Sequence, residues 1–285
     1  IAGCQPKYRT PVAIINGQKD KYVPFSGGGK FNLKSHKKTV EFFKKSNTVG
    51  DIEKTIVSKK NTLCKKYSDN SNSSNVISCA LFNSGHSWPG GKEFKIKQFG
   101  KVNRDINATK LLFSFFKENA LPNTKRVLTA PKNNNKAEKK GKFASLSKHI
   151  YMNGKYKYTY YSQSRKIKTK KKGAIAILFS AKQHSSNDIA SIFKTKLNID
   201  RYHLTMVYPK VTSDNVSKQF DEAFIHELKA KFEAYSNRIF VIGFSHGGKH
   251  AQRYYCEYSY LITAAATSNY GWNNQPCDPV VKRPV

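Results

Sequence analysis

Acidic residues are scarce in this chain. Its 285 residues hold 18 Asp and Glu against 51 Lys and Arg, a formal net charge of +33 at pH 7. Arginine is scarce as well, at eight of those 51 basic residues. Nucleic-acid readers favour Arg, whose planar fork matches base and phosphate acceptors. Here the lysines are spread over the whole length, mostly in ones and twos between apolar positions with denser clusters at 136–142 and 166–172, which speaks against specific nucleic-acid recognition. A solvated basic surface with non-specific attraction to polyanions accounts for the spread. No run approaches the roughly 20 apolar residues that a membrane-spanning helix needs, so no bilayer span is expected. The five cysteines fit no CxxC or Cys/His zinc spacing, and no metal or organic cofactor is implied. The chain starts at Ile1 without a charged segment leading into an apolar one, and reads as a mature form or a fragment.

What is present suffices for a core. Hydrophobic residues make up 38% and aromatics 13%, enough for one large domain or two ordinary ones despite the charge. Residues 12–16 (Val-Ala-Ile-Ile-Asn), 174–179 (Ala-Ile-Ala-Ile-Leu-Phe) and 238–243 (Arg-Ile-Phe-Val-Ile-Gly) are short apolar runs of the kind buried strands require. Further strands are expected at 76–82, 149–161, 202–208 and 261–267. Ser35 can cap a helix with Val40, Phe42 and Phe43 on its apolar face. Other helices are expected at 109–118, 188–197, 220–235 and 250–258. Strands alternating with helices imply an α/β fold. Residues 122–142, rich in Asn, Lys and Pro, read as a linker. Cys64 and Cys79 flank a Ser/Asn-rich turn, where either a bridge closing a hairpin or two buried thiols would fit.

One motif carries chemistry. Residues 243–247, Gly-Phe-Ser-His-Gly, match G-x-S-x-G with an apolar strand before and a helix after. That setting is a nucleophile elbow, which lifts Ser245 above the sheet and aims the His246 N–H at a developing oxyanion. A nucleophilic serine needs a base and an orienting acid. His86, in the Gly/Pro-fixed run 85–91 (Gly-His-Ser-Trp-Pro-Gly-Gly), and Asp20, just after the first strand, are the candidates. Trp88 is either a substrate wall or a core residue.

The run 85–91 resembles the histidine loop of the polyhydroxybutyrate depolymerase and feruloyl esterase family of α/β-hydrolases. Residues 16–25, Asn-Gly-Gln-Lys-Asp-Lys-Tyr-Val-Pro-Phe, resemble that family's acid loop, and 241–248 with Cys256-Glu-Tyr its nucleophile elbow and following helix. The resemblance implies a secreted serine esterase of the α/β-hydrolase fold, acting on a polyester or a feruloylated polysaccharide. In it Ser245 is nucleophile, His86 base and Asp20 acid, with oxyanion donors at His246 and Ala181. The chain departs from the family after its central strand, where Phe179-Ser-Ala-Lys-Gln replaces His-Gly. Each lost oxyanion donor costs about 2.7–4 kcal/mol of transition-state stabilisation.

The order along the chain is Asp20, His86, Ser245, a cyclic rotation of the hydrolase order Ser, Asp, His. The two ends also match: residues 4–12 and 277–285 share Cys, Pro and a final Pro-Val at the same offsets. Residues 1–120 therefore read as the family's C-terminal half and 143–285 as its N-terminal half, joined by the linker into one permuted domain. A slice of a tandem protein is the other arrangement that produces such ends. Cys256 is expected to pair with Cys277, leaving Cys4, which duplicates the position of Cys277, as the odd thiol. Two other functions remain in view: a polyanion-binding protein on a catalytically decayed hydrolase scaffold, and a small-acyl carboxylesterase.

Overall fold

The computed structural model describes residues 6, 8–50, 52–70, 75–94, 96–119, 146–153, 156–163, 173–180, 186–194, 204–209, 222–232 and 238–273. The linker 121–142, Cys4, Cys277 and Ala181 lie outside them. Ten described strands build one sheet: β1 (Val12–Gly17), β2 (Ile52–Lys59), β3 (Thr62–Ser68), β4 (Val76–Leu81), β5 (Leu146–Asn153), β6 (Tyr156–Gln163), β7 (Ala174–Phe179), β8 (Leu204–Pro209), β9 (Ile239–Phe244) and β10 (Ala264–Ser268). Their spatial order is β2-β3-β4-β1-β10-β9-β7-β8-β6-β5. The central run β4-β1-β10-β9-β7-β8 is parallel, and antiparallel pairs finish both edges.

The interior strands are apolar on both sides because helices cover both. Every residue of β1, β7 and β9 is buried. On one face Val12, Ile14, Ile177 and Val241 pack with Val40 and Phe43 of α1 (His36–Asn47), Phe224 and Leu228 of α4 (Glu222–Phe232), and Tyr254 and Tyr255 of α5 (Gly248–Glu257). On the other, Ala13, Ile15, Leu178 and Ile242 pack with Leu112 and Phe116 of α2 (Ala108–Glu118) and Ile189 of α3 (Ser186–Ile192). The period of two along each strand thus feeds two separate cores. Helix starts follow local chemistry: Ser35 Oγ accepts the Lys38 N–H at 3.2 Å, and Asn107 Oδ1 that of Lys110 at 2.9 Å. The expected α/β class holds, and a mostly parallel sheet between helical layers fits an α/β-hydrolase architecture.

The β2–β3 hairpin has no counterpart among the expected strands. β2 is an edge strand, exposed along nearly its whole length, so its Ile-Glu-Lys-Thr-Ile pattern carries no buried face to read. Cys64 and Cys79 face each other in register across β3 and β4, joined by a disulfide. Cys256 is also disulfide-bonded. Among the described residues no helix is long and apolar enough to cross a membrane, and no cluster of side chains could hold a metal ion.

Candidate active site

Four neighbouring parallel strands, β4, β1, β10 and β9, each deliver one polar residue beyond their carboxyl ends. These are His86, Asp20, Asn269 and Ser245 respectively. Residues at such strand ends are where open α/β sheets place their ligand sites.

Ser245 follows β9 directly, in a tight 3-10 turn (Ser245–Gly247) that leads into α5. Its φ of 54° lies in the left-handed region, which costs a residue with a side chain about 1–3 kcal/mol and recurs at functional turns. The turn is this sharp because Gly247 sits against the Phe179 carbonyl at the end of β7, where any Cβ would overlap backbone. The flanking glycines thus let the elbow close onto the next strand. His246 is half-buried, and its ring meets Phe31 edge-on with centroids 5.2 Å apart.

His86 bridges acid and hydroxyl. Its Nδ1 lies 2.8 Å from Asp20 Oδ2 and its Nε2 2.8 Å from Ser245 Oγ. The loop is pinned from beneath: the Gly85 N–H donates to Lys101 O at 3.0 Å, and a side chain at Gly85 would strike the Phe99 carbonyl. The ring is held edge-on by Phe99 at 4.9 Å and flanked by Tyr22 at 5.3 Å and Phe244 at 5.4 Å.

Asp20 is buried and its acceptor capacity is filled. Oδ1 accepts the N–H groups of Tyr22 at 2.8 Å and Val23 at 2.9 Å. Oδ2 accepts the Asn269 amide at 2.6 Å beside the His86 contact. Two oxygens offer about four lone-pair positions, and four donors meet them. An acceptor-only carboxylate assigns the proton to His86 Nδ1, which leaves Nε2 free to accept from the Ser245 hydroxyl.

Asn269 is absent from the candidates that the sequence offers. It is fully buried with φ 53°, donates to both Asp20 Oδ2 and Gly85 O (3.0 Å), and its N–H reaches Ile15 O at 2.9 Å. It therefore ties β10 to the acid loop and the histidine loop together. The available signal was an Asn just past an apolar run, since Asn tolerates left-handed backbone better than other side chains do.

Trp88 is corrected. It is 1% exposed, stacks on Phe193 at 4.0 Å and donates its indole N–H to Thr109 Oγ1 at 2.9 Å. A large ring with a satisfied N–H belongs to the core, not to a substrate wall. The exposed aromatic at the site is Tyr22, at 45%. Of the two oxyanion candidates, His246 stands in the elbow and Ala181 is outside the described residues.

No protein-family model matches the chain, and no curated protein does. Several solved structures are similar over part of it. A thermostable esterase is 14% identical, with 43% of this chain and 40% of that chain covered at a TM-score of 0.33. A ferulic acid esterase from the anaerobic fungus Anaeromyces mucronatus is 13% identical, covering 48% and 62% at 0.34. A feruloyl esterase module from Clostridium thermocellum is 17% identical, covering 41% and 50% at 0.32. The chain spans between 40% and 62% of the length of these three. At such identities and overlaps, any functional reading rests on the site's own hydrogen bonds.

Proposed function

We propose that this protein is a serine esterase of the α/β-hydrolase type, with Ser245 as nucleophile, His86 as general base and acid, and Asp20 as the orienting acid. The observation that carries the reading is the unbroken chain Asp20 Oδ2–His86–Ser245 Oγ, with 2.8 Å at both contacts, drawn from residues 66 and 159 positions apart. Hydrogen-bond reach at both nitrogens of one imidazole is what nucleophilic activation of a serine requires.

In the first half-reaction Ser245 Oγ forms a bond to the ester carbonyl carbon while His86 Nε2 takes the hydroxyl proton. The tetrahedral oxyanion is met by the His246 N–H and by a donor from the segment after β7, Ala181 in this reading. The carbon–oxygen bond to the alcohol then breaks, and the imidazolium returns its proton to the departing oxygen. In the second half water attacks the acyl carbon and gives its proton to His86; the bond from that carbon to Ser245 Oγ then breaks as the imidazolium returns the proton to Oγ, releasing the carboxylic acid and free Ser245. Asp20 holds the Nδ1 tautomer and stabilises the transient imidazolium throughout, and Asn269 is a positioning residue for Asp20.

Rotated chain order is part of the proposal. Reading the sheet from β5, residues 146–268 fill one side up to β10, and β1 continues the parallel series with residues 12–81. Asp20 and His86 thus come from one half and Ser245 and Asn269 from the other, as one permuted domain requires. A linker of some twenty residues reaches roughly 65–70 Å, against a domain about 50 Å across. Polyesters and feruloylated polysaccharides are the substrates that the family resemblance suggests, and secretion is the location.

A chromogenic ester together with a serine-directed phosphonate tests the reading. Hydrolysis with covalent labelling at Ser245, both lost in Ser245→Ala, is the expected result. An unlabelled, inactive wild type would instead favour the decayed scaffold that only binds polyanions.

A further inference from the structure

We propose that the ester cleaved at this site carries negative charge beside the scissile bond, recognised by a rim of unpaired lysines: Lys19, Lys21, Lys30, Lys101 and Lys249. This inference rests on the esterase reading above and names its substrate class.

The rim is built into the loops that hold the site. Lys19 and Lys21 flank Asp20, and the Lys19 N–H donates to Ser84 O at 2.9 Å, two residues from His86. Lys101 O accepts both the Gly85 N–H at 3.0 Å and the Ser87 hydroxyl at 2.9 Å, so its backbone brackets His86 from the other side. Lys30 precedes Phe31, whose ring touches His246. Lys249 sits in the first turn of α5, four residues beyond Ser245. The first four are exposed and Lys249 is half-buried.

These ammonium groups have no ion-pair partner among the described residues. Elsewhere lysines do find carboxylates: Lys44 with Glu41, Lys65 with Glu53 and Lys66 with Glu118. The described acids of the loops 18–34 and 82–107 are engaged as well. Asp20 is buried in its own hydrogen bonds, Glu93 pairs with Arg104 at 3.6 Å, and Asp105 accepts from the Asn61 N–H and the Thr62 hydroxyl. His250 is held neutral down to about pH 3, by burial first and then by the charges of His246, Arg253 and Lys249.

Like charges carried on neighbouring loops repel one another unless a ligand neutralises them, and they concentrate anions there. Lysine acts as a point charge on a flexible stem, which suits carboxylates at variable distances better than a fixed bidentate fork would. The same field favours the oxyanion formed during acyl transfer.

The test compares two p-nitrophenyl esters of equal length: the valerate, which is neutral, and the monoglutarate, which ends in a carboxylate. The glutarate should show the higher kcat/KM at low salt. Its advantage should shrink about tenfold or more between 10 and 500 mM salt, since screening shortens the Debye length to a few ångströms. The triple variant Lys19→Gln, Lys21→Gln, Lys101→Gln should lower the glutarate-to-valerate ratio. Lys45→Gln, Lys54→Gln, Lys117→Gln removes the same charge at the opposite end of the sheet and should leave that ratio unchanged. Acetyl groups on polygalacturonate and on a neutral glucan then separate a polymeric anion from a small one. Equal kcat/KM for both p-nitrophenyl esters, or equal effects of the two triple variants, would overturn the inference while the esterase reading stands. Hydrolysis of neither ester would overturn both.

Discussion

The Asn269 side-chain amide lies 2.6 Å from Asp20 Oδ2, although 249 positions separate the two residues in the chain. It supplies the fourth donor to that carboxylate and follows β10, the strand lying between those that deliver Asp20 and Ser245.

Asn269→Gly keeps a residue that accepts φ 53° while removing the amide. A hydrogen bond to a charged group contributes about 1.5–3 kcal/mol, so kcat should fall on the order of tenfold to a hundredfold with KM little changed. The downfield proton resonance of His86 Nδ1 should broaden or shift in the same variant. Lost stability with an unaltered resonance and kcat would show Asn269 to be merely structural.

Ser245→Ala and His86→Ala should each lower kcat by about 10⁴-fold or more, with losses in the double variant no greater, since triad members act as a unit. Asp20→Asn should cost at most as much, because nucleophile and base remain. Steady-state kinetics on variants with wild-type circular dichroism decides this. Full activity in Ser245→Ala would end the mechanism.

Acid should destabilise the fold through two buried histidines. His36 donates from Nδ1 to Asn16 Oδ1 (3.0 Å) and accepts at Nε2 from Ser78 (2.8 Å), a pairing that suits the neutral ring. Burial lowers its pKa to about 4, and burial with neighbouring positive charge lowers that of His250 to about 3. An unfolded histidine titrates near 6.5, so below that pH the unfolded chain binds protons that the folded one refuses. Stability is therefore full above about pH 6.5 and declines toward pH 4, by roughly 3 kcal/mol for His36 alone. Thermal melts from pH 8 to 4 should show this slope, and His36→Gln should flatten it. An unchanged slope in that variant would acquit His36.

Trp88→Phe should lower stability by roughly 1–3 kcal/mol, through lost ring area and the lost bond to Thr109. Chemical denaturation measures it, and KM for any ester should stay put. A large change in KM with normal stability would restore Trp88 to the substrate wall.

Thiol counting in denaturant should find one free cysteine of five. Cys64 and Cys79 are joined to each other, and Cys256 is disulfide-bonded. Peptide mapping should identify Cys277 as that partner. Opening the Cys64–Cys79 bridge, which closes a 15-residue separation, should cost about 3 kcal/mol.

The sequence made the interior strands readable because burial on both faces leaves an unbroken apolar run, as in β1, β7 and β9. The elbow was readable because its glycines answer a local steric demand. β2 was not, since an exposed edge strand needs no hydrophobic face. Asn269 escaped notice because its partners are remote in sequence and its own neighbours say nothing of them. Trp88 was ambiguous until Phe193 and Thr109, distant along the chain, closed around it.

The seam where β1 zips onto β10 has a kinetic consequence. It pairs Val12 with Ala265 and so closes nearly the whole chain, the slowest kind of contact to form by diffusion of a flexible polymer. Asp20 and His86 lie on one side of that seam and Ser245 on the other. On the proposed esterase reading, activity during refolding therefore has to trail the return of helical signal, because each half can regain its local structure well before the two meet.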